Sequence, residues 1–500
     1  MPLSPAEVEM VKTLFELCPV RLLQRGHPPG PVLPPGACRL EEAGGRLLVD
    51  AGGGEGSLEV LSVDLARQES CRLIGPGGLA EAEFLPDRQA CPPGDLGLSQ
   101  QRRFYDLRLG TLLRRRLPAG CRLEQAGSGR DSRQRFSGRF CRLVLRLRSS
   151  YLAGMALYPF QGAEAVAEFL SAALVWLEHC RNTRRRFGSD LPLLFPGDTY
   201  LHALGRLELL DGHRVRPRLL GYDLEAGVLE ELDPADLRRR RALPVSFEFA
   251  AERPLHDNPL ARRLRDRFPA DLDHEKTPHS FDWLSCRGLP LVQIHGPREE
   301  DLRLGWAAPL APWPDWGWDR AVAWLEEARR LRSEPPPQPL HEVYRRCPER
   351  WMEHLLLQDL CRLDPRLQPE WTYRQVPAYR GTGRAIMDVL SVEPDGRLVV
   401  VELKAGEEGS LLFQALDYWE RVWDGLRSGA FQNSGYFAGV RLRPDPPALI
   451  LVTPLFRCHR HQALLASYLK PGIPVTLVEW NLRWRGGWRP VRRTPLTPPR

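Results

Sequence analysis

The chain is 500 residues long, which at about 150 residues per domain predicts two to four domains. Its 43% hydrophobic and 27% charged residues exclude wholesale disorder, and 43 glycines with 47 prolines stay short of a low-complexity composition. The net charge of +7 rests on 66 arginines against four lysines (Lys12, Lys276, Lys404, Lys470), so basicity alone does not select nucleic acid as the partner, and a lysine standing where chemistry needs one is more informative than usual.

The amino-terminal MPLSPAEVEMVKTLFELCPV carries Glu7, Glu9 and Lys12 within its apolar part. No stretch approaches about 18 uncharged apolar residues, so neither a signal peptide nor a membrane anchor is expected. Eleven cysteines without a CxxC pair fit neither a disulfide framework nor a zinc knuckle, and the expected location is a reducing cytoplasm. Residues 1–160 read as a β-rich region, because short apolar runs such as GRLLVDAGGG and SLEVLSVDL are separated by glycine and proline. GGGEGS, Gly52 to Ser57, lacks the lysine of a phosphate-binding loop and reads as a loop tip. Five Cys-Arg-Leu triplets follow no fixed period, which argues against a solenoid. The arginine runs Arg114–Arg116 and Arg238–Arg241 read as solvated faces.

Residues 161–332 read as a mixed region whose fold does not follow from its pattern. Gly162 to Arg186 predicts a helix through Val166, Phe169, Leu170, Ala173, Leu174 and Leu177, and Leu201 to Leu232 reads more as strand than helix. His274 and Glu275 approach the zinc-protease HExxH, but the second histidine, His279, stands five residues on instead of four. Trp313, Trp316 and Trp318 could stack bases and are expected instead to cover a junction between domains; a helix follows over Trp318–Leu331. SEPPPQP then predicts a stiff extended linker over residues 333–340.

Residues 341–485 are patterned more sharply. Pro348 to Leu363 is helical, with Trp351, Leu355, Leu356 and Leu360 on one apolar face. Strands are predicted at Thr372–Ala378, Ala385–Val392 and Leu398–Leu403, then a helix from Ser410 to Leu426, strand Ala448–Val452, helix His459–Leu469 and strand Val475–Trp480. In RCHRH, the donors Cys458, His459 and His461 lack a second pair to close a tetrahedral site, so a helix start with a buried Cys458 is expected. The arginine- and proline-rich tail, 486–500, is expected to be disordered.

One segment gathers charge where strands are otherwise apolar: GRAIMDVLSVEPDGRLVVVELKAG, Gly383 to Gly406. Pro394 suits the second position of a type I turn, Asp395 the third, and Gly396 the left-handed residue of a bulge, giving a three-residue loop. Glu393 then pairs with Arg397, and counting back along the ladder sets Asp388 opposite Glu402. Period-two alternation turns Glu402 and Lys404 to the same face. A lysine bridging two acids at a sheet surface would be a structural reading. Because an unpaired buried carboxylate costs several kcal/mol or more, the functional reading is a hard-cation site: Asp388, Glu402 and the carbonyl of Leu403 would hold Mg²⁺ or Mn²⁺, with Lys404 beside the nucleophile.

These residues resemble the PD-(D/E)XK nuclease superfamily. Asp388, Glu402 and Lys404 match its acid ending one strand and its acid-x-lysine on the next, and the predicted order over 348–480 matches its core. In the NucS-like and RecB-like branches the first helix carries a further acid and the helix after the third strand carries QxxxY; Glu353, and Gln414 with Tyr418, are the counterparts, with Glu349 competing for the helix position. The proline of the family's name is absent, since Met387 precedes Asp388. The resemblance implies an α/β fold with a C-terminal restriction-endonuclease-like αβββαβ core around a central mixed sheet, preceded by a mixed α+β N-terminal region. It also implies a metal-dependent nuclease using Mg²⁺ or Mn²⁺, with DNA the expected polymer. Asp388, Glu402 and Glu353 would bind metal, Lys404 would assist the nucleophile, and Gln414 and Tyr418 would position it or the phosphate. The competing reading is a catalytically silent nucleic-acid-binding or scaffold module on the same fold.

Overall fold

The computed structural model describes residues 97–129, 138–183, 186–233, 243–248, 258–269, 271–275, 281–306, 310–381 and 383–497, with shorter stretches between residues 8 and 84. The loop Gly52–Ser57, the arginines 238–241 and His279 lie outside the described residues. The protein is mixed α/β and divides into two compact units: residues 1–166, 176–200 and 216–233, and residues 167–175, 201–215 and 234–500.

The first unit contains two sheets. Its apolar runs form strands such as Arg46–Asp50 and Leu58–Val63, as their alternation predicts, but a helix, Leu98–Arg116, interrupts the β-rich region. That helix buries Leu109, Leu112 and Leu113 and exposes Arg114, Arg115 and Arg116 at its end, so this arginine run is a solvated face. Leu201–Leu232, read mostly as strand, begins instead with a short helix that belongs to the second unit, Leu204–Glu208, whose Leu204 and Leu207 are buried three residues apart. Strands follow at Arg216–Asp223 and Val228–Glu231.

In the second unit a five-stranded antiparallel sheet (Leu272–Glu275, Asp282–Cys286, Leu289–Ile294, Leu302–Leu304, Ala311–Pro312) shares a core with helices Pro259–Arg267 and Trp318–Leu331. Trp313 is buried in that core and Trp316 and Trp318 pack against it, so these tryptophans belong to one unit's interior and flank instead of capping a domain junction. The prolines of 333–340 also lie inside this unit. Just before them, Arg332, fully buried, donates to the carbonyls of Val343, Arg346 and Arg287 at 2.6–2.9 Å, which ties the segment to its surroundings.

The larger sheet takes its strands in chain order: β1 (Val245–Phe247), β2 (Tyr373–Arg380), β3 (Gly383–Val392), β4 (Leu398–Leu403), β5 (Ala448–Pro454), β6 (Val475–Trp480) and β7 (Pro490–Pro495). Strands β1 to β4 are antiparallel, β4, β5 and β6 are parallel, and β7 returns antiparallel. The parallel middle explains why β4 is buried at all six positions: crossovers cover both faces of such strands. On one face α1 (Pro348–Gln358) packs Trp351, Met352 and Leu356 on Val389, Val401, Leu403 and Val452. Helix α2 (Leu411–Ser428) packs against β4 and β5 and ends on Gly429 in the left-handed region.

Three boundaries differ from expectation. The helix read as continuous from Pro348 to Leu363 breaks at Asp359, whose φ of −150° and ψ of 65° are not helical. The helix read over His459–Leu469 is confined to Gln462–Ser467, and Cys458, half-buried, precedes it by a turn. The tail expected to be disordered forms β7, and Thr497 Oγ1 donates to the Ile473 carbonyl while accepting the Val475 N–H. β7 is exposed along most of its length, so it lacks the apolar alternation that marks a strand.

Candidate functional site

The β3–β4 hairpin has the geometry its turn residues predict. Glu393 N–H donates to the Arg397 carbonyl at 2.8 Å and Gly396 N–H to the Glu393 carbonyl at 2.9 Å, closing a three-residue loop. Gly396 has φ +87°, and a Cβ there would fall 2.1 Å from the Arg441 carbonyl oxygen, so both backbone conformation and space require glycine. The paired register runs from Val392 opposite Leu398 to Val389 opposite Val401 and stops there; Asp388, the next residue, takes the Leu403 N–H on its side chain.

Each acid has a different environment. Asp388 Oδ2 accepts the Leu403 N–H at 2.8 Å, and Oδ1 lies 3.4 Å from Gln375 Nε2. Burial, then the charge of Glu353, push its carboxyl up to about 7 against the help of the Leu403 N–H. Glu402 is 6% exposed, and its Oε2 is buried without a hydrogen-bond partner among the described residues. Desolvation and then the Asp388 charge hold its pKa well above the usual carboxylate range, with Lys404 opposing. Both shifts favour the protonated forms, and a bound cation would oppose them.

Glu353, on α1, is fully buried: Oε1 accepts Arg374 Nε at 2.6 Å and Oε2 accepts Gln375 Nε2. Its pKa is nevertheless raised, because desolvation outweighs the guanidinium charges of Arg374 and Arg350. Glu349, one turn earlier, accepts the Ala405 N–H at 3.2 Å, and its charge reaches Glu402 and Lys404. The competition between these two acids therefore ends with both near the hairpin, Glu353 on the Asp388 side and Glu349 on the Lys404 side.

Lys404 Nζ pairs with Glu408 at 2.7 Å. Glu408 also accepts Ser410 Oγ at 2.5 Å and Gln414 Nε2 at 2.9 Å, so Gln414 joins the lysine through a shared carboxylate. Tyr418, a turn further along α2, has its phenol pKa raised by burial and then by the negative charges of Glu402 and Asp388.

No known family model and no curated protein matches this chain.

Among the described residues no group of three or more histidine, cysteine or acidic side chains stands ready to enclose a metal ion. A smaller set of donors is formed by Asp388 and Glu402, whose charges act on one another, one oxygen of the latter unpartnered. Magnesium and manganese are bound by as few as one or two carboxylates, with water completing the shell.

Sequence reasoning missed Gln375, the amide between Glu353 and Asp388. It sits in β2 with φ +48°, a left-handed conformation in mid-strand that no residue pattern announces. It missed Arg374 as well, which binds Glu353 and reaches Glu275 at 3.0 Å; Arg350 also pairs with Glu275. Glu275, set aside with the imperfect zinc motif, thus anchors two arginines, while His274 hydrogen-bonds Asp282 at 2.9 Å. Glu408 stood in plain view in LKAGEEGS, but nothing in its spacing singled it out from Glu407.

Proposed function

We propose that this chain is a metal-dependent phosphodiesterase, a nuclease with DNA the expected polymer, whose chemistry resides on a restriction-endonuclease-like core in its C-terminal part. The observation that carries the reading is the buried Glu402 carboxyl, whose Oε2 lacks a donor and whose pKa the charge of the half-buried Asp388 helps to raise. Evolutionary neutrality would favour apolar residues there, since a buried carboxyl without a donor costs free energy and contributes none to packing.

Asp388 and Glu402 would hold Mg²⁺ or Mn²⁺ with the Leu403 carbonyl, and Glu353 would join directly or through water. When bound, the ion stabilises charge on the phosphoryl oxygen and makes its water more acidic. The chain's own groups orient the rest. Gln375 fixes Asp388 relative to Glu353, the Leu403 N–H fixes the second Asp388 oxygen, and Lys404, held by Glu408, supplies a positive charge two residues from Glu402. Gln414 and Tyr418 would position the attacking water or the phosphate from α2.

The test is calorimetric titration of the full chain with Mn²⁺ beside Asp388→Ala, followed by cleavage assays on single-stranded, duplex and branched DNA with either ion. Uptake and cleavage in the wild type, both lost in the variant, support the assignment; equal activity in the variant would falsify it. One observation favours the silent binding module: Lys404 and Glu353 are already satisfied by Glu408, Arg374 and Gln375. Salt-dependent DNA binding without manganese uptake or products is the outcome that selects it.

No helix among the described residues is long and apolar enough to cross a membrane. Every cysteine whose side chain is described is a free thiol. The cytoplasmic location remains part of the proposal.

A further inference from the structure

The helix Pro259–Arg267 turns Ala261 and Leu264 into the core and leaves Arg262, Arg263, Arg265 and Arg267 exposed, four arginines in nine residues against one acid, Asp266. Beside it lies a set of half-buried indoles seated on the same core: Trp306, Trp316, Trp318 and Trp324. The two features are joined by stacking. The Arg263 guanidinium lies 3.6 Å from the Trp318 ring centroid, and Arg320 lies 4.8 Å from that of Trp316. Trp316 meets Trp324 at 5.1 Å, and Trp324 stacks on Trp306 at 5.3 Å with planes 1° apart.

We propose that this face of the second unit binds single-stranded nucleic acid, with bases stacking on the indole and guanidinium planes and phosphates on the arginine helix. A guanidinium stacked on a ring keeps its N–H edge free to grip an anion while offering a flat outer face to a base. Every base has a π-face, so such a platform is tolerant of sequence, but bases inside a duplex cannot use it. An acidic peptide would satisfy the arginines and waste the rings. A bilayer would need rings that insert, and these are held half-buried by the core beneath them. The sheet that carries this face also reaches the site: its strand Leu272–Glu275 supplies Glu275 to Arg350 and Arg374, and Arg374 binds Glu353. The inference deepens the phosphodiesterase reading by naming its substrate as single-stranded.

The experiment is a tryptophan-fluorescence titration of the full chain with an oligothymidylate of about 30 nucleotides, in EDTA, over a range of salt, with a blunt duplex of equal length in parallel. Expected are quenching by the single strand, an affinity that falls with the logarithm of salt with a slope of about 0.7 per phosphate contacted, and weaker binding of the duplex. The combined variant Arg262→Ser, Arg263→Ser, Arg265→Ser should lose affinity at least about tenfold, consistent with three lost phosphate contacts. The matched variant Arg114→Ser, Arg115→Ser, Arg116→Ser removes equal charge from exposed positions of the first unit and should bind as the wild type does. Absence of quenching, tighter binding of the duplex, or equal losses in the two variants overturns the proposal. Because no divalent ion is present, a protein that binds strands here but never cuts them upholds this surface and sinks the nuclease, and cleavage without the variant effect does the reverse.

Discussion

Replacing Asp388 by asparagine should make the metal-free protein more stable in alkaline solution. The carboxyl of Asp388 is raised from 3.8 to about 7, chiefly by burial and the Glu353 charge. A raised carboxyl favours the native state only while protonated. Between the unfolded and the native pKa the unfolded chain has released a proton that the native chain still holds, so stability falls as pH rises through that window. A shift of about three units at 1.36 kcal/mol each makes the cost about 4 kcal/mol, an upper figure because Asp388 is half-buried. Asparagine carries no such cost and keeps an acceptor for the Leu403 N–H. Urea midpoints of wild type and Asp388→Asn, measured in EDTA from about pH 4 to about pH 8, give the contrast, which includes the relief of Glu402 from the Asp388 charge. The variant should gain up to about 4 kcal/mol relative to wild type across that range, and Mn²⁺ added at the alkaline end should restore the wild type alone. Parallel pH profiles would show that Asp388 titrates normally and that the pair is not strained by burial; stabilisation of the variant by Mn²⁺ would show that the ion binds elsewhere.

The remaining expectations use the same methods. Gln375→Ala should leave the fold intact and weaken manganese binding about tenfold in calorimetry, the usual effect of losing a group that orients a ligand; an unchanged affinity would mean Asp388 needs no amide beside it. Arg374→Ala strands Glu353 without its guanidinium and should lower stability by about 3–5 kcal/mol near neutral pH, with part of that loss recovered in Arg374→Ala, Glu353→Gln. Gly396→Ala should cost about 2 kcal/mol or more in the urea midpoint, since alanine disfavours φ +87° and its Cβ meets the Arg441 carbonyl, and should abolish manganese uptake if the hairpin register is what assembles the pair. Ending the chain at residue 489 removes Arg492 from the buried Glu479 and should lower the thermal midpoint by several degrees.

The hairpin was readable because a turn and a two-residue period are local rules: Pro394, Asp395 and Gly396 fix the loop, and the loop fixes the pairing from Val392 with Leu398 to Val389 with Val401. The apolar runs of β4, β5 and β6 were readable for the same reason, since strands covered on both faces are nearly uniform in hydrophobicity. What escaped depends on residues distant in the chain. β1 joins β2 across about 130 intervening positions, and three residues are too few to show a period. β7 is exposed and charged, so its pairing with β6 rests on backbone hydrogen bonds that side-chain patterns do not report. Gln375 and Arg374 acquire their roles from a left-handed backbone and from Glu353 some twenty residues away. The tryptophans near residue 316 were noticed for their composition, but only packing separates rings that seal a seam from rings seated on a core.

The strand order carries a warning for anyone isolating the sharply patterned part of this chain. A fragment cut at the prolines and ended at residue 485 would lack β1 and β7, baring β2 on one side and β6 on the other. Such naked margins recruit strands from neighbouring molecules. It would also lose Glu275, leaving Arg350 and Arg374 to compete for Glu353. Trimming should therefore begin before Val245 and keep the last strand, or insolubility will be mistaken for inactivity.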